Sequence, residues 1–549
     1  MRRAAPKKKA ATAPKKEEPD EEGVVPSVCD GRGLPDAPPG AVTSLTKRGY
    51  GFDKATCTPA FLDALRRCTT VRPRVPPAVS NVAPRAYPVH QESVSKLYIP
   101  KYLGLARYGA PVEDKTRVDD GGDDDDDDDG AGCVDQDIGD AAADPWRVVG
   151  CLRESQLEPV DAYLSAARDP LRRGGIINVA CGNGKTVMAL HILSRLRVRA
   201  LVVVHKTFLV DQWVERIAEF LPDARIGRLQ GPVCDVQGKH VVICMLQSLT
   251  GGREYDLDGF GAVVVDECHH TSAEVFSRAL HRLNCRHSLG LSATVRRKDG
   301  LSHVFQWFLG PVVYSNKAVG RRRAANAPPP AEVMAAEFAC QDPAYREERY
   351  VFGSRVDIVG MVSNVCRFAP RTAFVADAVM AALAAHPERK VLVLSERRSH
   401  LVDIHAAVTE RSNANAIAEA AAAPPEAEAG STKRGAVSIG FYVGGVKQEE
   451  LKRSEAADVI LGTFSMAAEG MDIPALNTLV LATPKSDVEQ AVGRILRVQH
   501  GRRGPVPLVI DVADTFSVFR SQFARRLRFY ASSGFALLPA GAPVPGGDG

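Results

Sequence analysis

Five short runs, Ile176–Ala180, Ala200–Val204, Val241–Met245, Ala262–Val265 and Ser288–Leu291, are β-branched or otherwise apolar on both faces. A strand with water on one side alternates in polarity; one that stays apolar at every position is covered on both sides, as strands of a parallel sheet are. The stretches between these runs are long enough for crossover helices. The texture recurs at Val391–Leu394, Val459–Gly462, Thr478–Ala482 and Leu508–Val512. Two α/β sheets in tandem follow, each with helices on both faces.

The flanking chain has a different character. The segment from Met1 to residue 41 is rich in Lys, Glu, Pro and Ala, cannot offset its ordering entropy by burial, and reads as a disordered tail; within it Pro6-Lys7-Lys8-Lys9 fits an import signal, a nucleic-acid arm or plain solvated charge. Residues 42–117 regain apolar and aromatic residues and read as a small accessory domain. Residues 118–145, which open on a cluster of nine aspartates at Asp119, Asp120 and Asp123 to Asp129, read as an acidic linker, with a nucleic-acid mimic as the alternative. The first sheet domain is expected at 146–313, a connection at 314–370, the second sheet domain at 371–535 and a flexible tail at 536–549. Asn413 to Lys433, rich in Ala, Glu and Pro, reads as a mobile insertion.

Of 549 residues, 45% are hydrophobic and 25% charged, which excludes wholesale disorder, a collagen and a coiled-coil rod. The 12 cysteines include no CxxC pair, which argues against a zinc ribbon and a disulfide scaffold. No apolar run approaches a membrane span and the basic start lacks an apolar continuation, so neither membrane insertion nor secretion is expected. Setting the nine aspartates aside moves the net charge from +4 to +13, a balance that suits a polyanionic partner as well as a soluble surface.

Directly after the first run comes Cys181-Gly182-Asn183-Gly184-Lys185-Thr186, leading into a helical pattern from Val187. Strand, glycine turn and helix is the setting in which backbone N–H groups converge on phosphate oxygens. Gly182, Asn183, Gly184, Lys185 and Thr186 are the candidate nucleotide cradle, with Lys185 on the β and γ phosphates of ATP and Thr186 on Mg²⁺. Val179 stands where the strict pattern has glycine. The fourth run, Ala262–Val265, ends in Asp266-Glu267-Cys268-His269. A carboxylate at a strand tip beside the phosphate loop can hold the Mg²⁺ shell while its neighbour accepts a proton from the attacking water; Asp266 and Thr186 are the candidate metal residues and Glu267 the base. Cys268, His269 and His270 match no structural zinc spacing.

With these motifs in order the chain resembles the superfamily 2 helicases, DExH subgroup. Ser292-Ala293-Thr294 stands where the family has S-A-T. Thr463, Gly470, Asp472 and Pro474 resemble motif V. Gln490-Ala491-Val492-Gly493-Arg494-Ile495-Leu496-Arg497 resembles motif VI, in which two arginines three apart on a helix face one way and can reach a phosphate across a cleft. Leu152-Arg153-Glu154-Ser155-Gln156 resembles the element whose glutamine reads adenine. His205-Lys206 with Gln212-Trp213, and Gln247-Ser248, look like motifs Ia and Ib. C-G-x-G-K-T, G-L-S-A-T-x-R-x-D-G and Q-x-x-G-R-x-L-R are similar to XPB-type helicases, and L-Y-I-P-K-Y-x-G within Tyr87–Gly109 is similar to helicases of large nucleocytoplasmic DNA viruses.

The resemblance implies two RecA-like domains with ATP between them. It implies Lys185, Asp266, Glu267, Gln490, Arg494 and Arg497 in catalysis; Gln156, Gly182 to Thr186, Gly470 and Asp472 on nucleotide; Lys206, Gln247, Ser248 and Thr463 on nucleic acid. It also implies action on DNA with 3′-to-5′ polarity and transcription or replication proteins as partners, in the nucleus, the cytoplasm or a viral factory. An RNA helicase, a double-strand translocase that does not unwind and an ATP-gated scaffold remain open as alternatives; the five residues Lys185, Asp266, Glu267, Arg494 and Arg497 together speak against the scaffold.

Overall fold

The computed structural model describes residues 33–74, 84–116, 144–179, 182–268, 272–294, 297, 299–315, 329–351, 355–422, 436–469, 471, 473–496 and 505–539. The tail up to residue 32, the aspartate run, and Gly470, Asp472 and Arg497 lie outside these residues.

The first sheet has eight strands in the order Val233–Asp235, Ile226–Gln230, Val241–Met245, Ala200–Val204, Ala262–Val265, His287–Ser292, Gly174–Asn178, Val312–Ser315. All pair in parallel except the edge strand Val233–Asp235. Alternate side chains feed two cores: Leu201, Val203, Val263 and Val265 pack on one face with Phe276 and Phe305, and Ala200, Val202, Val264 and Ile243 on the other with Trp213 and Leu190. The five apolar runs are thus its central strands.

The second sheet is parallel throughout, in the order Ile439–Tyr442, Val459–Thr463, Val391–Ser395, Thr478–Leu481, Leu508–Asp514, Glu332–Phe338, Ala536–Leu537. It too divides its side chains between two cores, Leu392, Ile460 and Leu479 on one face and Val391, Val459 and Val480 on the other. The chain folds as two tandem RecA-like α/β sheets behind a smaller N-terminal unit.

Four expected boundaries shift. Glu332–Phe338 is a strand paired along its whole length with Leu508–Asp514, so residues 314–370 are not merely a connection, and the helix Ala369–Ala385 crosses the start expected at 371. Its sequence, EVMAAEF, is only half-buried near the sheet edge and lacks the two-faced apolar signature. Ala536–Leu537 pairs with Glu332–Val333, inside the span read as tail. The helix Arg398–Ala422 continues into the span read as a mobile insertion, whose residues 423–433 lie outside the described ones. Leu34, read as tail, is buried in the N-terminal core, and Tyr108 donates to the Pro35 carbonyl at 2.9 Å.

The N-terminal unit is a five-stranded sheet, Gln91–Glu92, Lys96–Ile99, Gly49–Asp53, Thr43–Thr46, Glu113–Asp114, with Phe52, Phe61 and Tyr108 packed ring to ring. Gly104 of the helix Lys101–Tyr108 is required by space, since a Cβ there would sit 2.3 Å from Tyr50 Cβ. That helix joins the unit to the first sheet: Lys101 Nζ donates to the carbonyls of Cys285 and Arg286, and Tyr102 pairs with Ser288 and the Arg173 carbonyl. These contacts lie at the start of His287–Ser292, the end of the sheet away from the phosphate loop. Among the described residues no single helix is long and apolar enough to cross a membrane.

The strand Leu508–Asp514 carries two buried carboxylates. Asp514 accepts from Arg371 Nε at 2.6 Å, Arg371 Nη2 at 2.7 Å and the Tyr345 hydroxyl at 2.6 Å, while Asp511 accepts from Arg526 Nε at 2.8 Å and the Tyr530 hydroxyl at 2.9 Å. Each arginine spends a further N–H on the loop that leads to motif VI, Arg371 on the Ala482 carbonyl and Arg526 on that of Lys485. Removing one partner of such a pair leaves a buried charge uncompensated, at about 3–5 kcal/mol. Asp514→Ala is expected to lower the unfolding free energy of the second-domain transition in urea by that order, with the Arg371→Met, Asp514→Leu double variant closer to the parent. A single-variant loss below about 1 kcal/mol, the ordinary cost of a point substitution, would contradict this reading.

Candidate active site

The strand Gly174–Asn178 enters the phosphate loop and the helix Lys185–Leu196 leaves it. Gly182 and Gly184 adopt left-handed φ of 87° and 73°. At Gly184 this conformation turns the backbone into the helix, and a Cβ there would lie 2.2 Å from Gln156 Nε2. Val179, where glycine was expected, instead continues the sheet, its N–H donating to the Ser292 carbonyl at 3.0 Å.

Gln156 is buried. Its Oε1 accepts from Arg153 N at 2.9 Å and its Nε2 donates to the Asn183 carbonyl at 2.9 Å, so one amide ties the start of the helix Glu154–Arg168 to the phosphate loop.

Lys185 Nζ lies 2.6 Å from Glu267 Oε1, and both side chains are largely enclosed, at 9% and 17% exposure. Glu267 has φ of 45°, a conformation that costs a residue with a Cβ about 1–3 kcal/mol and that collects at functional sites. It turns the carboxylate off the tip of Ala262–Val265 toward the lysine. Asp266 is buried: its Oδ1 accepts from Glu267 N at 2.9 Å and its Oδ2 from Trp213 Nε1 at 2.9 Å. Burial, then the Glu267 carboxylate, push the Asp266 carboxyl above its ordinary value, against the Lys185 ammonium. On the neighbouring strand Ser292 closes a tight turn, its hydroxyl donating to the Thr294 carbonyl and accepting from Thr294 N.

Thr186, half-buried on the first turn of the helix Lys185–Leu196, and Asp266 offer hard oxygen donors of the kind Mg²⁺ takes. With a lysine and two helix-entry glycines beside them, the donor set fits Mg²⁺ with a nucleotide triphosphate. Among the described residues no cluster of His, Cys, Asp and Glu fits a metal ion by itself.

The candidate nucleic-acid residues of the first sheet meet at its C-terminal edge. Lys206 precedes the helix Thr207–Phe220; Gln247 Nε2 donates to the His205 carbonyl at 3.1 Å, and Ser248 Oγ accepts from Gly231 N at 3.0 Å. Burial lowers the Lys206 pKa from its ordinary value. In the second sheet Thr463 ends Val459–Thr463 and faces the Ser465 hydroxyl at 3.2 Å.

Motif VI departs from expectation. The helix Glu489–Val492 holds Gln490 but closes at Gly493, so Arg494 sits in the turn beyond it rather than on a continuing helical face. Arg494 is 6% exposed and its Nη1 donates to the Met471 carbonyl at 2.7 Å. It thereby ties motif VI to motif V within one domain. What the sequence did not single out is the Trp213 indole on Asp266: the pair is separated by 53 residues, and neither residue's type points to the other.

A family model described as the res subunit of type III restriction enzymes matches residues 151–297. A candidate ATP-dependent RNA helicase of Acanthamoeba polyphaga mimivirus is 26% identical over 502 residues, 89% of this chain and 85% of that protein. A candidate ATP-dependent RNA helicase of African swine fever virus is 23% identical over 404 residues, 70% of this chain and 74% of that one. The DNA 3′-5′ translocase XPB2 of Sulfurisphaera tokodaii is 35% identical over 163 residues, 30% of this chain and 35% of that protein.

Lys185→Ala removes the cation of the phosphate loop and is expected to abolish ATP turnover while the chain still folds, with a lowered thermal midpoint because Glu267 loses its partner; full turnover would refute the assignment. Glu267→Gln keeps the shape and removes the carboxylate expected to act as base, so nucleotide affinity should hold while turnover falls. Parallel loss of affinity and turnover would instead indicate damage to the loop.

Proposed function

We propose that this chain, a superfamily 2 helicase of DExH type similar to helicases of large nucleocytoplasmic DNA viruses, hydrolyses ATP to move along DNA with 3′-to-5′ polarity. The observation that carries the reading is the convergence of Lys185, Asp266 and Glu267, from two strand ends of one parallel sheet, on one buried point.

In this reading Lys185 exchanges Glu267 for the terminal phosphates of ATP. The freed Glu267 carboxylate accepts the proton of the attacking water. Thr186 and Asp266 would hold Mg²⁺, which when bound would neutralise phosphate charge. Gln156, already fixed to the loop, presents its amide to the adenine side. Gly470 and Asp472 complete the nucleotide contacts from the second sheet, and Gln490, Arg494 and Arg497 bear on the phosphates from across the cleft. Because Arg494 is tied to the Met471 carbonyl, movement of motif VI is transmitted to motif V and Thr463. Lys206, Gln247, Ser248 and Thr463 contact the sugar-phosphate backbone, so that each cycle of closure and release becomes a step along the strand.

The similarity to a DNA translocase over 163 residues supports DNA. A second reading, action on RNA, is favoured by the name of the mimiviral relative, which matches along most of this chain. Transcription or replication proteins are the proposed partners, and the nucleus, the cytoplasm or a viral factory the proposed compartment.

Displacement of 3′-tailed, 5′-tailed and blunt duplexes of DNA and of RNA, with ATP turnover recorded for each, tests this. The 3′-tailed DNA should be displaced fastest and DNA should stimulate turnover most. Stimulation by RNA alone, or a preference for 5′ tails, would overturn the respective part. Turnover on blunt DNA with triplex displacement but no unwinding would indicate a double-strand translocase.

A further inference from the structure

The helix Thr207–Phe220 joins two places that the reading above gives different work. Its N-terminal end follows Lys206, whose neighbour His205 receives Gln247 Nε2 on its carbonyl. Gln230 Nε2 donates to Thr207 Oγ1 at 3.2 Å, so the same end is also held to the strand Ile226–Gln230. Two turns further on, Trp213 is 1% exposed and lies in the core beneath the sheet. Its single polar atom, Nε1, is 2.9 Å from Asp266 Oδ2.

A buried indole N–H needs an acceptor, and a buried carboxylate needs donors. Asp266 has two in view, the Glu267 backbone N–H and the Trp213 indole. The first comes from its own strand tip and can only follow it. The second comes from another element and restrains the rotation of the carboxylate, with each oxygen keeping acceptor capacity beyond these two hydrogen bonds. The strands Ala200–Val204 and Ala262–Val265 are neighbours in register, Val203 opposite Val265, so the helix and the carboxylate hang from adjacent strand ends. A displacement of the helix when its Lys206 end engages a phosphate backbone therefore reaches Asp266 through one rigid ring.

We infer that Trp213 is a positioning residue: it orients Asp266 for the metal–nucleotide and couples that carboxylate to the nucleic-acid contacts at the Lys206 end of its helix. This rests on the ATP-site reading given above.

The test uses the full chain with Trp213→Phe, which keeps an aromatic ring and removes the N–H. A second variant carries a benzothienyl alanine at 213, which keeps the bicyclic shape and replaces N–H by sulfur. Three quantities are read: affinity for a fluorescent ATP analogue titrated with Mg²⁺ and again in EDTA, the Mg²⁺ concentration at half-maximal binding, and the ratio of ATP turnover with single-stranded DNA to turnover without it. Both variants should bind the analogue normally in EDTA. Each should need about tenfold more Mg²⁺, the loss expected for one hydrogen bond to a charged group, and each should lose most of the DNA stimulation while still binding DNA. Normal Mg²⁺ dependence and normal stimulation in the benzothienyl variant would overturn the inference, as would loss of EDTA affinity in parallel with the rest, since that is what a packing role gives. Failure of the ATP-site reading looks different: the parent chain itself would show no Mg²⁺-dependent binding or turnover.

Discussion

A lysine and a glutamate enclosed 2.6 Å apart set the terms for the rest of this molecule. Neither charge is easily taken out of water alone, and together they are tolerable only because each faces the other. The pair forms because two parallel strands deliver their C-terminal ends to the same side of one sheet. One strand runs into a glycine turn whose left-handed residues aim Lys185, and another ends at a left-handed Glu267 that turns toward it. In the proposed function a polyphosphate draws the lysine from the carboxylate, and the glutamate left behind serves as the base. The resting ion pair and the proposed chemistry are two states of one arrangement.

The second sheet solves a different problem, that of holding a loop still. Asp511 and Asp514 are placed three apart on one buried strand and so point to opposite faces, each neutralised by an arginine and a tyrosine. The arginines then hold the carbonyls of Ala482 and Lys485, at two points of the segment that leads to Gln490 and Arg494. Lys485 itself reaches Glu396 at 2.9 Å, adding the end of Val391–Ser395 to the same mount. Motif VI is thus carried on a frame of buried charge rather than on a long helix.

The central strands of both sheets were legible because burial on two faces leaves a contiguous apolar run that little else imitates; Ala200–Val204, Val241–Met245 and Ala262–Val265 were read to the residue. The strands at the sheet edge or next to it were not. Glu332–Phe338 and Ile439–Tyr442 are covered on one side only in part, and mixed polarity over a few residues also describes a loop. The glycine-rich entry to a helix and the paired acids at a strand tip were readable in their placement, since that geometry is local. Arg494 was misplaced because helical spacing was extended past Gly493, where the helix stops. Contacts across tens of residues, such as Trp213 with Asp266 or Arg371 with Asp514, leave no periodic trace at all, and a buried arginine looks in sequence like a solvated one.

Where Lys185 goes when nucleotide arrives decides whether this site is the ATP site. A structure of the full chain with Mg²⁺ and a non-hydrolysable ATP analogue measures this. The account predicts that Lys185 Nζ leaves Glu267 for the terminal phosphates, with Glu267 turned to a water in line with them. An analogue bound elsewhere, or bound with the Lys185 to Glu267 pair still closed, would contradict it.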